Sequence, residues 1–285
     1  MKQFFKQNHK TDNSIRQMLR KRKSPMLITG IVMTSIVLLF VLIGLLVTPY
    51  DSEAMDATSK LAGVSWKHLM GCDNFGRDIL SRVMKGSATT LFIAMGTVLI
   101  GIAFGIVIGA IAGYFGGLAD EVLMRMNDAA LAFPSILLAL VLISLFGTGR
   151  YNIILALGIA FVPSFARIVR SEFIKQREMD YIRQAELIGV HPFRIMFVHM
   201  LPNSARVLVS SLLIGFNNAV LAEAGLSFLG IGVQPPDASL GRMLSEAQAY
   251  LFSRPGYALC VGGTLIFIVL GFSFLGEGIS EDAKG

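Results

Sequence analysis

The 285 residues are 54% hydrophobic and only 15% charged, with a formal net charge of +6. So much apolar surface, gathered into long runs, excludes a single soluble core and predicts an all-α integral membrane protein. The basic residues abut apolar runs and lack interleaved aromatics, so they read as a topology signal. Membrane lipid is the expected partner, and nucleic acid is not.

In chain order, residues 1–25 form a basic segment: Lys2, Lys6, Lys10, Arg16, Arg20, Lys21, Arg22 and Lys23 against the single acid Asp12. By the positive-inside rule this amino terminus lies in the cytoplasm. Spans follow over about 26–47, 88–113, 122–147, 151–169, 204–230 and 256–276, near the ~20 residues that cross a hydrocarbon layer. The first is too long for a signal-peptide core, which runs to about 15 residues, and no small-x-small cleavage site follows it, so it is read as retained. Six crossings return the tail 277–285 to the cytoplasm, making 26–276 one transmembrane domain. They place 171–202 inside, and Thr48–Lys85 and Gly232–Arg254 outside.

Within the second span Gly101, Gly105, Gly109 and Gly113 recur every four residues. They form a face that lets another helix of this chain, or of a second subunit, approach closely. In the fifth span Asn217, Asn218 and Glu223 are candidate pathway residues, since ionisable groups in a span mark a route or a buried partner. The competing reading is a hydrogen-bonded contact between helices. Asn127 and Asp128, with Arg125 nearby, suit a local structural network. His9, His68, His191 and His199 are scattered, so no metal site is predicted. Cys72 and Cys260 are too differently placed to predict a disulfide.

No catalytic constellation is legible, and no Gly-Lys dipeptide occurs, so the chain lacks a phosphate-cradling loop. It is not expected to be an enzyme or to bind a cofactor. Were such a chain to carry a solute across the membrane, the energy would have to come from a partner or an ion gradient.

Tyr181–Asn203 is a polar, amphipathic stretch between two apolar runs. A helix over Glu172–Ile188 would put Ile174, Tyr181, Ile182, Ala185 and Ile188 on one stripe. Gly189 would then bend the chain. A second helix starting at Pro192 would show Phe193, Met196, Phe197 and Met200 on one face before Pro202 ends it. Two short helices at an angle make a docking knob; the plainer alternative is a loop lying on the membrane surface.

Arg183-Gln184-Ala185, Gly189 and Leu201-Pro202 resemble the coupling-loop motif of ABC importer permeases, with Arg183, Gln184 and His199 standing where Glu, Ala and Ile are usual. The resemblance extends along the chain. Pro49-Tyr50-Asp51, His68–Asp73 with Gly76–Arg82, Ala112–Gly117, Ala132–Ser135 and Gly225–Pro236 are similar to stretches of the peptide and nickel branch, second permease type. This implies a type I importer permease of the inner (cytoplasmic) membrane. It also implies partners: a second permease subunit, two ATPase subunits that bind ATP and magnesium, and an extracytoplasmic solute-binding protein. The cargo would be small peptides or nickel and metal-chelate complexes. Coupling falls to Arg183, Gln184, Ala185, Gly189, Phe193, Met196, Phe197, Leu201 and Pro202. An ion-coupled six-span secondary transporter, resting on Glu223, is the alternative.

Overall fold

A computed structural model describes residues 24–284, so the basic segment 1–23 that carries the orientation signal lies outside the described residues. Helix α1, Pro25–Leu46, opens on Ser24, whose hydroxyl accepts from the Met26 N–H at 3.2 Å, with Pro25 in the first turn. Helix α2, Ile79–Phe115, has 37 residues. At 1.5 Å per residue it is about 55 Å long, more than a ~30 Å hydrocarbon core needs. It therefore overruns the expected 88–113 at both ends. Asp78 caps it, accepting from the Ser81 N–H and hydroxyl, both at 2.8 Å.

The third span differs from its expectation. In place of one helix over 122–147 there are two, α3 (Gly117–Leu131) and α4 (Ser135–Phe146), meeting at 88°. Pro134 breaks the run: it has no N–H, and it bars the preceding Phe133 from helical backbone. Helix α5 spans Arg150–Arg177, continuing two turns past the expected 169. Helix α6 is Asp180–Leu187. Helix α7 runs as Pro192–Arg194, a π-turn Ile195–Met200 and Leu201–Asn203. Helix α8 is Ala205–Phe228 and α9 is Leu240–Gln248. Helix α10, Pro255–Lys284, absorbs most of the expected 277–285 tail.

Five of these helices are long and apolar enough to cross a membrane, and the bent α3–α4 pair makes a sixth candidate. The packing supports counting the pair as one crossing. The glycine face of α2 lies on α5 of the same chain: Gly101 faces Phe161 and Phe165, Gly105 faces Phe165 and Ala166, Gly109 faces Ala166 and Val169, and Gly113 faces Arg170 and Phe173. Both sequences ascend together, so α2 and α5 are parallel, and the segment between them must return across the molecule. It does so along α5: Arg170 binds Asp120, Asn127 Nδ2 donates to the Pro163 carbonyl at 3.1 Å, and Asn152 Nδ2 donates to the Phe146 carbonyl at 2.8 Å.

Helices α1 and α10 pack antiparallel, with Gly30 against Leu275 and Gly278 against Leu27. Helix α8 lies between α5 and α10, where Gly215 faces Phe165 and the Phe216 and Phe272 rings sit 4.4 Å apart. A Cβ at Gly105 would stand 2.6 Å from Phe165 Cβ and 3.0 Å from the Ala166 backbone nitrogen. Gly105→Leu must therefore push two helices apart. We expect a cost of about 1–3 kcal/mol, read as lower yield of monodisperse protein in gel filtration and a lower Tm.

Candidate functional site

At one end of the bundle the chain leaves α5, forms α6 and α7, and re-enters α8. Gly189 makes the bend between α6 and α7. Its N–H donates to the Glu186 carbonyl and the Val190 N–H to the Ala185 carbonyl, both at 3.0 Å, with Gly189 at φ +79°. This is a Schellman close, in which a left-handed residue satisfies the last carbonyls of a helix and sets the hydrophobic residue beyond it on the last turn. Val190 and Ala185 are that apolar pair, both packed on the core. Arg183 and Gln184 point to solvent.

The bend puts an apolar ridge on the outside. Leu187 is 86% and Ile188 79% exposed, and Phe193 and Phe197 are exposed too, their rings stacked with centroids 6.4 Å apart. Met196 is not part of it. Expected on one face with the two phenylalanines, it and Met200, which was expected there too, are both fully buried beside Ile195. Nor does Pro202 end this helix, as was expected. The helix runs through it by widening: the Leu201 N–H bonds back to Met196 across the π-turn, which slips the register of the residues inside it. The expected single stripe over Glu172–Ile188 is also broken, since α5 stops at Arg177 and leaves Ile182 buried but Ile188 outside.

What holds the ridge to the spans is a polar network that periodicity could not reveal. Gln176 Nε2 donates to Ser204 Oγ at 2.6 Å, and its Oε1 accepts from the Tyr181 hydroxyl at 2.8 Å. Asn203 Nδ2 donates to Tyr181 Oη at 3.1 Å and to the His199 carbonyl at 2.9 Å. Arg177 Nη1 donates to the Tyr114 carbonyl at 3.1 Å, tying α5 to the end of α2. Thus α5, α6, α7 and the start of α8 are joined by groups with few other partners. The only sequence signal was that these polar residues flank apolar runs.

The candidate pathway residues separate. Glu223 is fully buried, accepts from the Ser227 hydroxyl at 2.6 Å, and faces α2 and α9. Asn217, with its amide oriented to satisfy both partners, donates to the Val269 carbonyl at 3.3 Å and accepts from the Ser273 N–H at 3.0 Å, pinning α8 to α10. Only Asn218 is exposed. It lines a groove of about 400 Å³ between α5 and α8, beside Ser135, Ser164 and Ser211.

At the opposite end a buried ion cluster joins distant segments. Glu246 of α9 accepts from Arg77 Nη2 at 3.1 Å, Arg82 Nη2 at 3.2 Å and the Tyr257 hydroxyl at 3.3 Å, and Arg242 Nε lies 3.5 Å from its other oxygen. Asp73 binds Arg77 Nε at 2.7 Å and lies 3.5 Å from Arg82 Nε. His68 Nδ1 pairs with Asp78 at 2.9 Å. Cys72 and Cys260 are both free. Burial, with Asp78 and Asp73 adding to it, pushes the Cys72 thiol up. Cys72 should therefore resist maleimide at neutral pH in the folded protein and react on unfolding, as gel-shift labelling would show.

Comparison with known proteins agrees with this architecture. The family described as "Binding-protein-dependent transport system inner membrane component" matches residues 105–277. The dipeptide transport system permease protein DppC of Alkalihalophilus pseudofirmus is 35% identical over 260 residues, covering 91% of this chain and 86% of the relative. DppC of Haemophilus influenzae is 33% identical, covering 88% of each chain. The glutathione transport system permease protein GsiD of Pectobacterium atrosepticum is 36% identical, covering 82% of this chain and 78% of the relative. The ion-coupled carrier reading has no support beside these matches, and Glu223, its one residue, is engaged inside the fold. The chain belongs to the inner membrane components of binding-protein-dependent transport systems, the permeases of ABC importers.

Proposed function

We propose that this permease forms half of the translocation pathway of an ABC importer for small peptides, and that the α6–α7 ridge is where a cytoplasmic ATPase engages it. The carrying observation is the ridge itself: Leu187, Ile188, Phe193 and Phe197 are exposed on a bend that hydrogen bonds fasten to two spans. An exposed apolar ridge with a rigid base fits the groove of another subunit. In this reading the α6–α7 end is cytoplasmic and the α9 end meets the solute-binding protein. The partners are a second permease and two ATPases, which bind the ATP and magnesium. Met196 and Met200 act as inward anchors, and Ala185, Leu201 and Pro202 shape the base.

Dipeptide and glutathione stand in the names of the relatives compared, which favours peptide over nickel or a metal chelate as cargo. Asn218 with Ser135, Ser164 and Ser211 supplies the polar strip along which such cargo would pass.

The test is Leu187→Asp in the assembled importer. We expect the two permeases to co-purify from nanodiscs while the ATPase subunits and vanadate-sensitive ATPase activity fall at least tenfold, since a desolvated anchor is worth 2 kcal/mol or more, roughly a factor of 30. Full ATPase retention in this variant would refute the assignment.

A further inference from the structure

We propose that the cleft between α1 and α10, on the α9 side of the molecule, binds a membrane phospholipid, with an acyl chain in the cleft and the 63–70 loop at its headgroup. The cleft measures about 350 Å³ and is lined by Ile36, Phe40, Met70, Gly263, Thr264 and Phe267. Its floor is closed, because α1 and α10 touch where Gly271 meets Met33 and Gly30 meets Leu275. Its one side-chain hydroxyl is already engaged: Thr264 donates to the Cys260 carbonyl at 2.8 Å. The walls thus offer an occupant only apolar surface.

The position of Met70 fixes the depth. Phe40 is six residues before the end of α1 and Cys260 is five residues into α10, so the cleft lies about 9 and 7.5 Å inside the two helix ends, counting 1.5 Å per residue. The loop that delivers Met70 therefore runs beside the spans at the level of the bilayer boundary instead of standing clear of it. On this loop Trp66 is 99% exposed and Leu69 is exposed, while across from it Phe252 is 100% exposed three residues before α10. Arg254 lies against Gly63 of the loop, and Lys67 follows Trp66. Bare aromatic rings with cations beside them, at the ends of spans, match the headgroup region of a bilayer. An apolar slot beneath them matches an acyl chain.

Two measurements test this. A Cβ at Gly263 would meet no atom within 4 Å, so Gly263→Leu fills the cleft without disturbing the helices. Native mass spectrometry of the assembled importer should show fewer retained phospholipids in this variant at unchanged subunit stoichiometry; unchanged lipid retention overturns the proposal. Trp66 is the chain's single tryptophan. In nanodiscs of brominated phosphatidylcholine and phosphatidylglycerol, the fluorescence lost on Trp66→Phe should be quenched by bromine on upper acyl carbons and weakly by aqueous acrylamide. Acrylamide quenching without bromolipid quenching overturns it. If added solute-binding protein then removes the acrylamide effect, the surface is a protein dock instead.

Discussion

Glu246→Ala should destabilise this permease by about 3–5 kcal/mol, the usual cost of removing one partner from a buried charge cluster. Arg82 is 1% exposed and is the largest fully buried side chain of the described residues. It would keep only Asp73, 3.5 Å away. Arg77 and the Tyr257 hydroxyl lose the same carboxylate, so the loop before α2, α9 and α10 come unfastened together. Glu246→Gln retains an acceptor oxygen at the same place and should cost less. Thermal unfolding of the two variants in the same detergent checks both, and equal Tm values for Glu246→Ala and the parent would contradict the account.

Gly189→Pro should abolish transport while leaving the chain inserted. The substitution removes the N–H that bonds the Glu186 carbonyl and demands φ near −65° where the backbone has +79°. The α6 close cannot form, and the ridge loses its angle. Gly189→Ala is the graded control: nothing lies within 4 Å of its Cβ, so only the left-handed backbone resists, at about 1–2 kcal/mol. Gly189→Trp meets the same open space and the same strain, and adds bulk on the outer face. Peptide uptake and ATPase activity measured on one proteoliposome preparation should therefore fall from glycine to alanine to tryptophan to proline. Normal uptake by a well-inserted proline variant would refute the role of the bend.

The six apolar runs made most of this fold legible, because a bilayer imposes length and composition on every span. What the runs could not carry was geometry between distant residues. Pro134 stood in plain view within the third run, yet the 88° angle depends on α3 binding α5 through Asp120 and Asn127. The glycine face of α2 was visible as a repeat, but only packing chose α5 as its neighbour. At the α6–α7 ridge, periodicity grouped Met196 with Phe193 and Phe197, since a 3.6-residue repeat assumes an unbroken helix. The π-turn before Pro202 breaks that assumption, and Met196 lies inward. Glu246 and Arg77 are 169 residues apart, and no local pattern announces their bond.

The α2–α5 pair has a mechanical consequence. Two parallel rods whose backbones meet at Gly105, Gly109 and Gly113 bend far less than either does alone, because no pliable α2 side chains separate them there. The 28 residues of α5 make a rod of about 42 Å. Tilting such a rod by roughly 5° about one end sweeps the other through about 4 Å. A rotation imposed at the α6–α7 end is thus carried along α5 with little lost to flexing, and that stiffness comes from the absence of side chains at Gly105, Gly109 and Gly113.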